Sequence, residues 1–333
     1  MDRRLPEILK NIGLLTIFCF LLFLIFAIPK NRGFETENLI KKSFTNLGHV
    51  FRLSLSSKEP LMVDGDGWTN VLVLGRPGAG NPAPDLTDTI ILTSFKDKKA
   101  SFLSIPRDFY VAPDSSGYRK INSLYANGYQ ADQIGAVVSK ITGKPVHYTI
   151  MVELELLRKI TEYLDGVNVF VKEDISDPLF PGPNYSYSPF EIDKGWRHLD
   201  GETLLRYVRT RYDSEGDFGR MKRQQQVLAA MKNKVENLNQ LQNFNLILGL
   251  YDDFKEHVDI DLSVSEMRSF WEILKDLDIS ISKAHRLTIR DPLLLKENYV
   301  MTTGGRMFVL WPSAGLNNYT QIHSYVKDIY ETF

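Results

Sequence analysis

Arginine-bearing stretches and one acidic loop hold residues whose types and spacing suit phosphate chemistry. "LDGETLLRYVRTRYDSEGDFGRMKRQQQ" (199–226) contains Arg206, Arg209, Arg211, Arg220 and Arg223, and "SIPRDFYV" (104–111) holds Arg107 and Asp108. Guanidinium groups bind phosphate bidentately and stay charged. Arg220, Arg223 and Gln224 lie at i, i+3 and i+4, one face at the start of a helix whose N-terminus would add to an anion pocket. Arg209 and Arg211, two apart, predict one side of an extended segment. The acidic loop, "GRPGAGNPAPDLTDTI" (75–90), carries Asp85 and Asp88. Hard carboxylate oxygens of this kind suit magnesium. The chemistry suggested is phosphate, or pyrophosphate, plus a divalent metal. Each residue alone has a plainer reading: an arginine on a solvated face or paired with Asp213 or Asp217, a loop aspartate capping backbone amides. Clustering is what favours the anion site.

The elements that must position these residues follow from periodicity. Apolar, β-branched runs predict strands at 71–74, 89–95, 100–105, 146–152 and 167–171. Lys96–Lys99 forms the polar turn of a hairpin. Helical spacing predicts helices at 130–142, 153–164, 218–237, 263–276 and within 316–331. "TTGG" followed by "MFVLWP" reads as folded structure that completes the main sheet. The fold class is α/β, with a mixed central sheet flanked by helices in an α/β/α sandwich. The glycine-rich loop does not cradle a nucleotide. A P-loop needs lysine and a hydroxyl after its last glycine, but Asn81-Pro82 follow Gly80. A dinucleotide fingerprint must open a helix, whereas this loop runs into the strand-like "TDTIILTSF".

The chain carries a net charge of −1, so no global field points to nucleic acid or an anionic surface. Its single cysteine, Cys19, excludes disulfides and thiolate metal sites from the rest of the chain. That cysteine lies in "IGLLTIFCFLLFLIFAI" (12–28), an uncharged run of ~25 Å as a helix, near the short end for crossing a bilayer. It ends Phe26-Ala27-Ile28-Pro29-Lys30, without the small residues of a signal-peptide cleavage site. We expect a retained transmembrane helix over 12–29. Arg3, Arg4 and Lys10 precede it, and Lys30, Arg32, Lys41 and Lys42 follow it, so flanking charge does not orient it. Residues 30–66 read as a partly helical juxtamembrane linker ending at "DGDGW" (64–68).

Six motifs together resemble the LytR–CpsA–Psr (LCP) family. They are "VLVLG…DLTDTIIL", "SIPRDFYV", "KINSLYANG" (120–128), "LDGVNVFV" (164–171), "HLDGETLLRYVRTR" (198–211) and "DFGRMKRQQQVL" (217–228), spread over about 68 to 235. The resemblance implies a cytoplasmic tail over 1–11 and an extracellular catalytic domain over 67–333. It also implies an enzyme that moves a glycopolymer from a polyprenyl-pyrophosphate carrier onto peptidoglycan. Carried over by position, Arg107 resembles the pyrophosphate-binding arginine. Arg209, Arg211 and Arg220 resemble a second arginine group, with Arg223 and Gln224 beside them. Asp88 resembles a magnesium and active-site aspartate; Asp217, Asp108 and Lys120 are supporting positions. Family members usually carry an aspartate and an arginine where this chain has Pro77 and Ala79. Either metal binding is impaired, or Asp85 supplies the carboxylate from the other end of the loop; the retained arginines favour Asp85.

On this reading Mg2+ on Asp88 and Asp85 bridges the pyrophosphate, and a glycan hydroxyl attacks the phosphorus next to the donor sugar. Asp88 and Asp108 are both candidates for the assisting base. Leu228, Phe244, Leu248 and Phe270 are candidates to line a groove for the polyprenyl chain, though each also fits ordinary core packing. Two rivals remain: a non-catalytic lipid- or glycan-binding regulator, and a pyrophosphate hydrolase using water as acceptor.

Overall fold

The computed structural model describes residues 59–79, 81, 83–182, 186–210, 212–213, 283–287 and 292–332, with scattered positions between 223 and 273. The expected span 12–29 and the juxtamembrane helix lie outside them; among the described residues no helix is long and apolar enough to cross a membrane. Contacts divide the chain into two compact units, where the sequence reading treats 67–333 as one domain. One unit joins Leu61–Glu153, Val258–Leu262 and Asp276–Phe333; the other joins Leu154–His257 and Ser263–Lys275 with the described residues up to Pro60.

The first unit opens on an antiparallel meander of β1 (Thr69–Arg76), β2 (Thr89–Lys96) and β3 (Lys99–Ser104). β1 is buried from Thr69 to Gly75, on both faces, which is why its sequence is a continuous apolar run rather than an alternation. The expected hairpin turn is present, with Asp97 at φ 53°, a left-handed value that aspartate tolerates. β4 (Tyr110–Val111) and β5 (Arg119–Lys120) form a short ribbon. Helix α1 (Ala131–Thr142) starts with a capping box of Gln130 and Gln133 and stops at Gly143, left-handed at φ 73°. It leads to β6 (Tyr148–Glu153), which pairs parallel with β1.

The second unit begins with α2 (Leu154–Tyr163), then β7 (Val167–Val171), β8 (Ile175–Asp177), β9 (Phe190–Ile192) and β10 (Gly195–Leu199). β7 pairs with β10 and β8 with β9, both antiparallel. Helix α3 (Gly201–Arg209) follows, capped by Asp200, whose side chain accepts from the Thr203 N–H. α2 packs on α3; a Cβ at Gly201 would meet the Arg158 carbonyl oxygen at 2.7 Å, so only glycine permits this approach. The helix expected at 218–237 is helical at its described positions between Arg223 and Lys234, and that at 263–276 is helical at Ser265, Glu266, Ser269, Phe270 and Ile273.

The remaining elements return to the first unit. β11 (Val258–Ile260) joins β6 antiparallel and β12 (Lys283–Arg286) joins β3 parallel, giving a mixed sheet in the order β11-β6-β1-β2-β3-β12. The strand "MFVLWP" does not complete it. It belongs to a separate hairpin of β13 (Leu295–Thr302) and β14 (Gly305–Pro312), paired along its whole length. Helix α4 (Thr320–Glu331) and α1 cover one face of the sheet in a core of Leu72, Leu74, Leu92, Leu103, Ile134, Val138, Ile322 and Val326. The expected α/β class with a mixed central sheet and helices is the observed one.

Candidate functional site

The residue before β2, the segment after β3 and the end of β5 bring four charged side chains of the first unit together. The chain leaves β3 at Ser104 and turns tightly, the Phe109 N–H donating to the Pro106 carbonyl. The turn is fixed from below: Ile121 N–H donates to the Phe109 carbonyl and Asn122 N–H to the Arg107 carbonyl. Asn122 in turn accepts from the Thr87 backbone and hydroxyl, with Thr87 fully buried. Three separate segments are thereby held in register, and Asp88 is presented beside Arg107. Arg107 Nη1 donates to Asp88 Oδ1 at 2.9 Å, and Asn122 Nδ2 reaches the same oxygen at 3.4 Å. Lys120 Nζ donates to Asp108 Oδ1 at 2.6 Å, and Arg107 Nε lies 3.8 Å from Asp108 Oδ2. All four side chains are half-buried.

Asp85 has a different partner. Arg76, the last residue of β1, donates from Nη1 to Asp85 Oδ1 and from Nη2 to Glu153 Oε1, each at 2.6 Å. Its guanidinium stacks 4.8 Å from the centre of the Tyr125 ring. The loop between is tied by Gly78 N–H to the Pro84 carbonyl and by Asn81 Nδ2 to the Pro77 and Gly78 carbonyls. Across Arg76, Arg107 and Lys120, three cations face the four carboxylates Asp85, Asp88, Asp108 and Glu153. The local balance is negative. A divalent cation suits that balance, and a pyrophosphate would be repelled without one. The donor set fits magnesium on the same grounds: hard oxygens, with one or two carboxylates and the remaining positions left to water and phosphate. Arg76, Asn122, Tyr125 and Glu153 were not singled out by the sequence; Glu153 is 77 positions from Arg76, beyond any local pattern.

In the second unit, the expected extended segment through Arg209 is corrected: Arg209 ends α3, because Asp200 caps a helix that buries Leu204, Leu205, Tyr207 and Val208 on one side. Arg209 and Arg206 both lie over the Phe180 ring, at 5.6 and 4.9 Å. Arg206 also donates to Ser188 and Pro189. Arg223 departs from the anion role expected of it. It is 6% exposed, and it donates from Nε to the Tyr207 carbonyl, from Nη1 to Asp213 and from Nη2 to the Thr210 carbonyl. These bonds make it a buried brace across the end of α3. Burial pushes the neighbouring Tyr207 phenol up to about 12. Arg211, Asp217, Arg220 and Gln224 lie outside the described residues, as do Leu228, Phe244 and Leu248 of the expected lipid groove, while Phe270 is fully buried.

The chain belongs to the LytR_cpsA_psr family, whose model matches residues 32–307. The regulatory protein MsrR of Staphylococcus aureus is 33% identical over 192 residues, covering 56% of this chain and 55% of that protein. This chain thus spans about half the length of that relative. A protein of Enterococcus faecalis named polyisoprenyl-teichoic acid–peptidoglycan teichoic acid transferase TagU is 28% identical over 244 residues, 72% of this chain and 71% of that one. Among solved structures, Bacillus subtilis TagV aligns with a TM-score of 0.53 at 21% identity, over 78% of this chain and 96% of its own. The Lin1025 protein of Listeria innocua aligns at 0.52 and 21%, over 80% and 98%. The likeness to these structures is one of fold.

Proposed function

We propose that this protein is a membrane-anchored, outward-facing phosphotransferase that moves a glycopolymer from a polyprenyl-pyrophosphate carrier onto peptidoglycan. The observation that carries the reading is the Arg107–Asp88 pair, held by Asn122 beside Asp108 and Lys120, in a chain of this family. A relative named as a teichoic acid transferase supports it. In the reaction, an acceptor-glycan hydroxyl oxygen bonds to the phosphorus next to the donor sugar. The bond from that phosphorus to the bridging oxygen breaks, and polyprenyl phosphate leaves. Asp88 or Asp108 takes the hydroxyl proton. Arg107 directs its guanidinium at the charge that develops on the transferring phosphoryl group. Arg209, Arg211 and Arg220 keep the pyrophosphate-binding role that the motif resemblance implies. Asp88, with Asp85, would hold Mg2+, which would supply positive charge against the phosphates. No nucleic acid enters this reading.

The test uses the full chain in detergent with a synthetic polyprenyl-pyrophosphate oligosaccharide. Polyprenyl phosphate release is measured with and without acceptor glycan, with magnesium or with chelator. Release that needs both acceptor and magnesium, with a glycan–phosphate–acceptor bond in the product, is the expected result. Release with water alone would establish the hydrolase instead. Lipid binding that ignores magnesium and yields no product would overturn catalysis and leave the regulator, for which Pro77 and Ala79 would mark a lost site.

A further inference from the structure

A second metal site is built into the other unit, from residues the transfer reading does not use. Asp253, Glu256 and His257 are all helical, at i, i+3 and i+4, which places their side chains on one face. One ligand atom from each lies within 4.8 Å of the others. Strand β11 starts at Val258, so His257 is the last residue of its helix. A helix C-terminus carries partial negative charge and favours a cation.

The independent sign of a ligand is Asp253. It is 9% exposed, yet its Oδ2 is buried with no hydrogen-bond partner. A buried carboxylate oxygen without a donor bears its full desolvation cost, so native structures rarely keep one. Among the described residues, Lys159 is the cation paired with it, its Nζ 3.7 Å from the other oxygen, Oδ1. That contact is too long for a hydrogen bond and leaves Oδ2 unmet. Two carboxylates and an imidazole share one helical face, and one oxygen of the Asp253 carboxylate is buried without a donor.

We infer that Asp253, Glu256 and His257 bind a divalent transition-metal cation, Zn2+ being the best fit. Imidazole with carboxylates suits zinc over magnesium, which prefers oxygen donors alone. The site is separate from the Asp88 cluster and stands whether or not the transfer reading holds. Its metal would stabilise the helix end, completing the coordination sphere with water.

The test is zinc binding to the full chain in detergent, stripped of metal and titrated with zinc chloride, with stoichiometry read by elemental analysis and affinity by calorimetry. The Glu256→Gln/His257→Asn double variant changes a half-buried and an exposed residue, so it should keep the fold, checked by circular dichroism. Asp88→Asn is the second variant. The expected result is one zinc per chain that excess magnesium does not displace. The double variant should weaken it more than about tenfold, about 1.4 kcal/mol, while Asp88→Asn leaves it unchanged. Zinc should also raise the melting temperature of the wild type and of Asp88→Asn, and not that of the double variant. No stoichiometric zinc, equal zinc binding in the double variant, or loss of binding in Asp88→Asn would each overturn the assignment.

Discussion

Replacing Arg107 by alanine separates a catalytic arginine from a structural one, because the two roles predict effects of very different size. Its ion pair with Asp88 has Nη1–Oδ1 at 2.9 Å, with side chains 31% and 34% exposed. Solvent screens a pair that open, so its contribution to stability is at most about 1 kcal/mol. That corresponds to a fall in melting temperature of about 1–2 °C for a protein of this size. Asp88 would keep its contact with Asn122 Nδ2 and would not be left buried without a partner. On the reaction, the guanidinium is asked to meet charge that grows in the transition state. Removing a preorganised donor of that kind costs roughly 10²–10³ in rate, about 2.7–4 kcal/mol. Arg107→Lys should fall between, since it restores charge without the planar fork. The assay is initial polyprenyl phosphate release at saturating magnesium, beside thermal unfolding of the same preparations. A rate for Arg107→Ala within about threefold of wild type would refute the catalytic assignment. So would a loss of activity that simply follows unfolding.

Three further outcomes are expected. Asp85→Asn should raise the magnesium concentration for half-maximal release by about tenfold with little change at saturation; an unchanged titration would reduce Asp85 to its ion pair with Arg76. His147 is held neutral: burial lowers its pKa below the ordinary value of 6.5, nearby Asp64 opposes this, and Nδ1 accepts from the Asn70 N–H at 2.9 Å. The unfolded chain therefore binds the extra proton first, so stability is full above about 6.5 and falls as pH drops below it. Urea unfolding across that range should show the slope, and His147→Asn should flatten it. Gly166→Ala places a Cβ at a residue with φ +70°, 2.3 Å from His198 Nε2 and 2.8 Å from the Leu199 carbonyl. It should cost more than about 1 kcal/mol in the same urea assay.

Where a feature is local, the sequence carries it. The strands at 89–95 and 167–171 reappear as Thr89–Lys96 and Val167–Val171, because β-branched runs bounded by turns have few other uses. α1 was legible from the Ile134, Val137, Val138 and Ile141 stripe and from Gly143 behind it. The helix Gly201–Arg209 was missed although its signals were present: a capping aspartate, Glu202 in the first turn and Leu204, Leu205 and Val208 on one side. Arg209 and Arg211 suggested an alternation of two, and a pair of residues at that spacing is weak evidence against a cap and an apolar face.

Charge is harder to read than periodicity, because one residue type serves opposite ends. Arg107, beside Asp108, and Arg223, three positions after Arg220, both read from the sequence as candidates for the same anion. Arg107 meets one carboxylate at 2.9 Å and stays about a third exposed. Arg223 spends its donors on two backbone carbonyls and Asp213 and is almost fully buried. The difference is set by which carbonyls the end of α3 leaves unpaired, and that depends on the helix the sequence reading did not see. Glu153 shows the same dependence from the other side: its carboxylate reaches Arg76 only because β6 pairs parallel with β1, setting Glu153 opposite Arg76. Sheet register, a long-range property, thus decides which charges meet around the loop, and with them the negative balance at this end of the sheet.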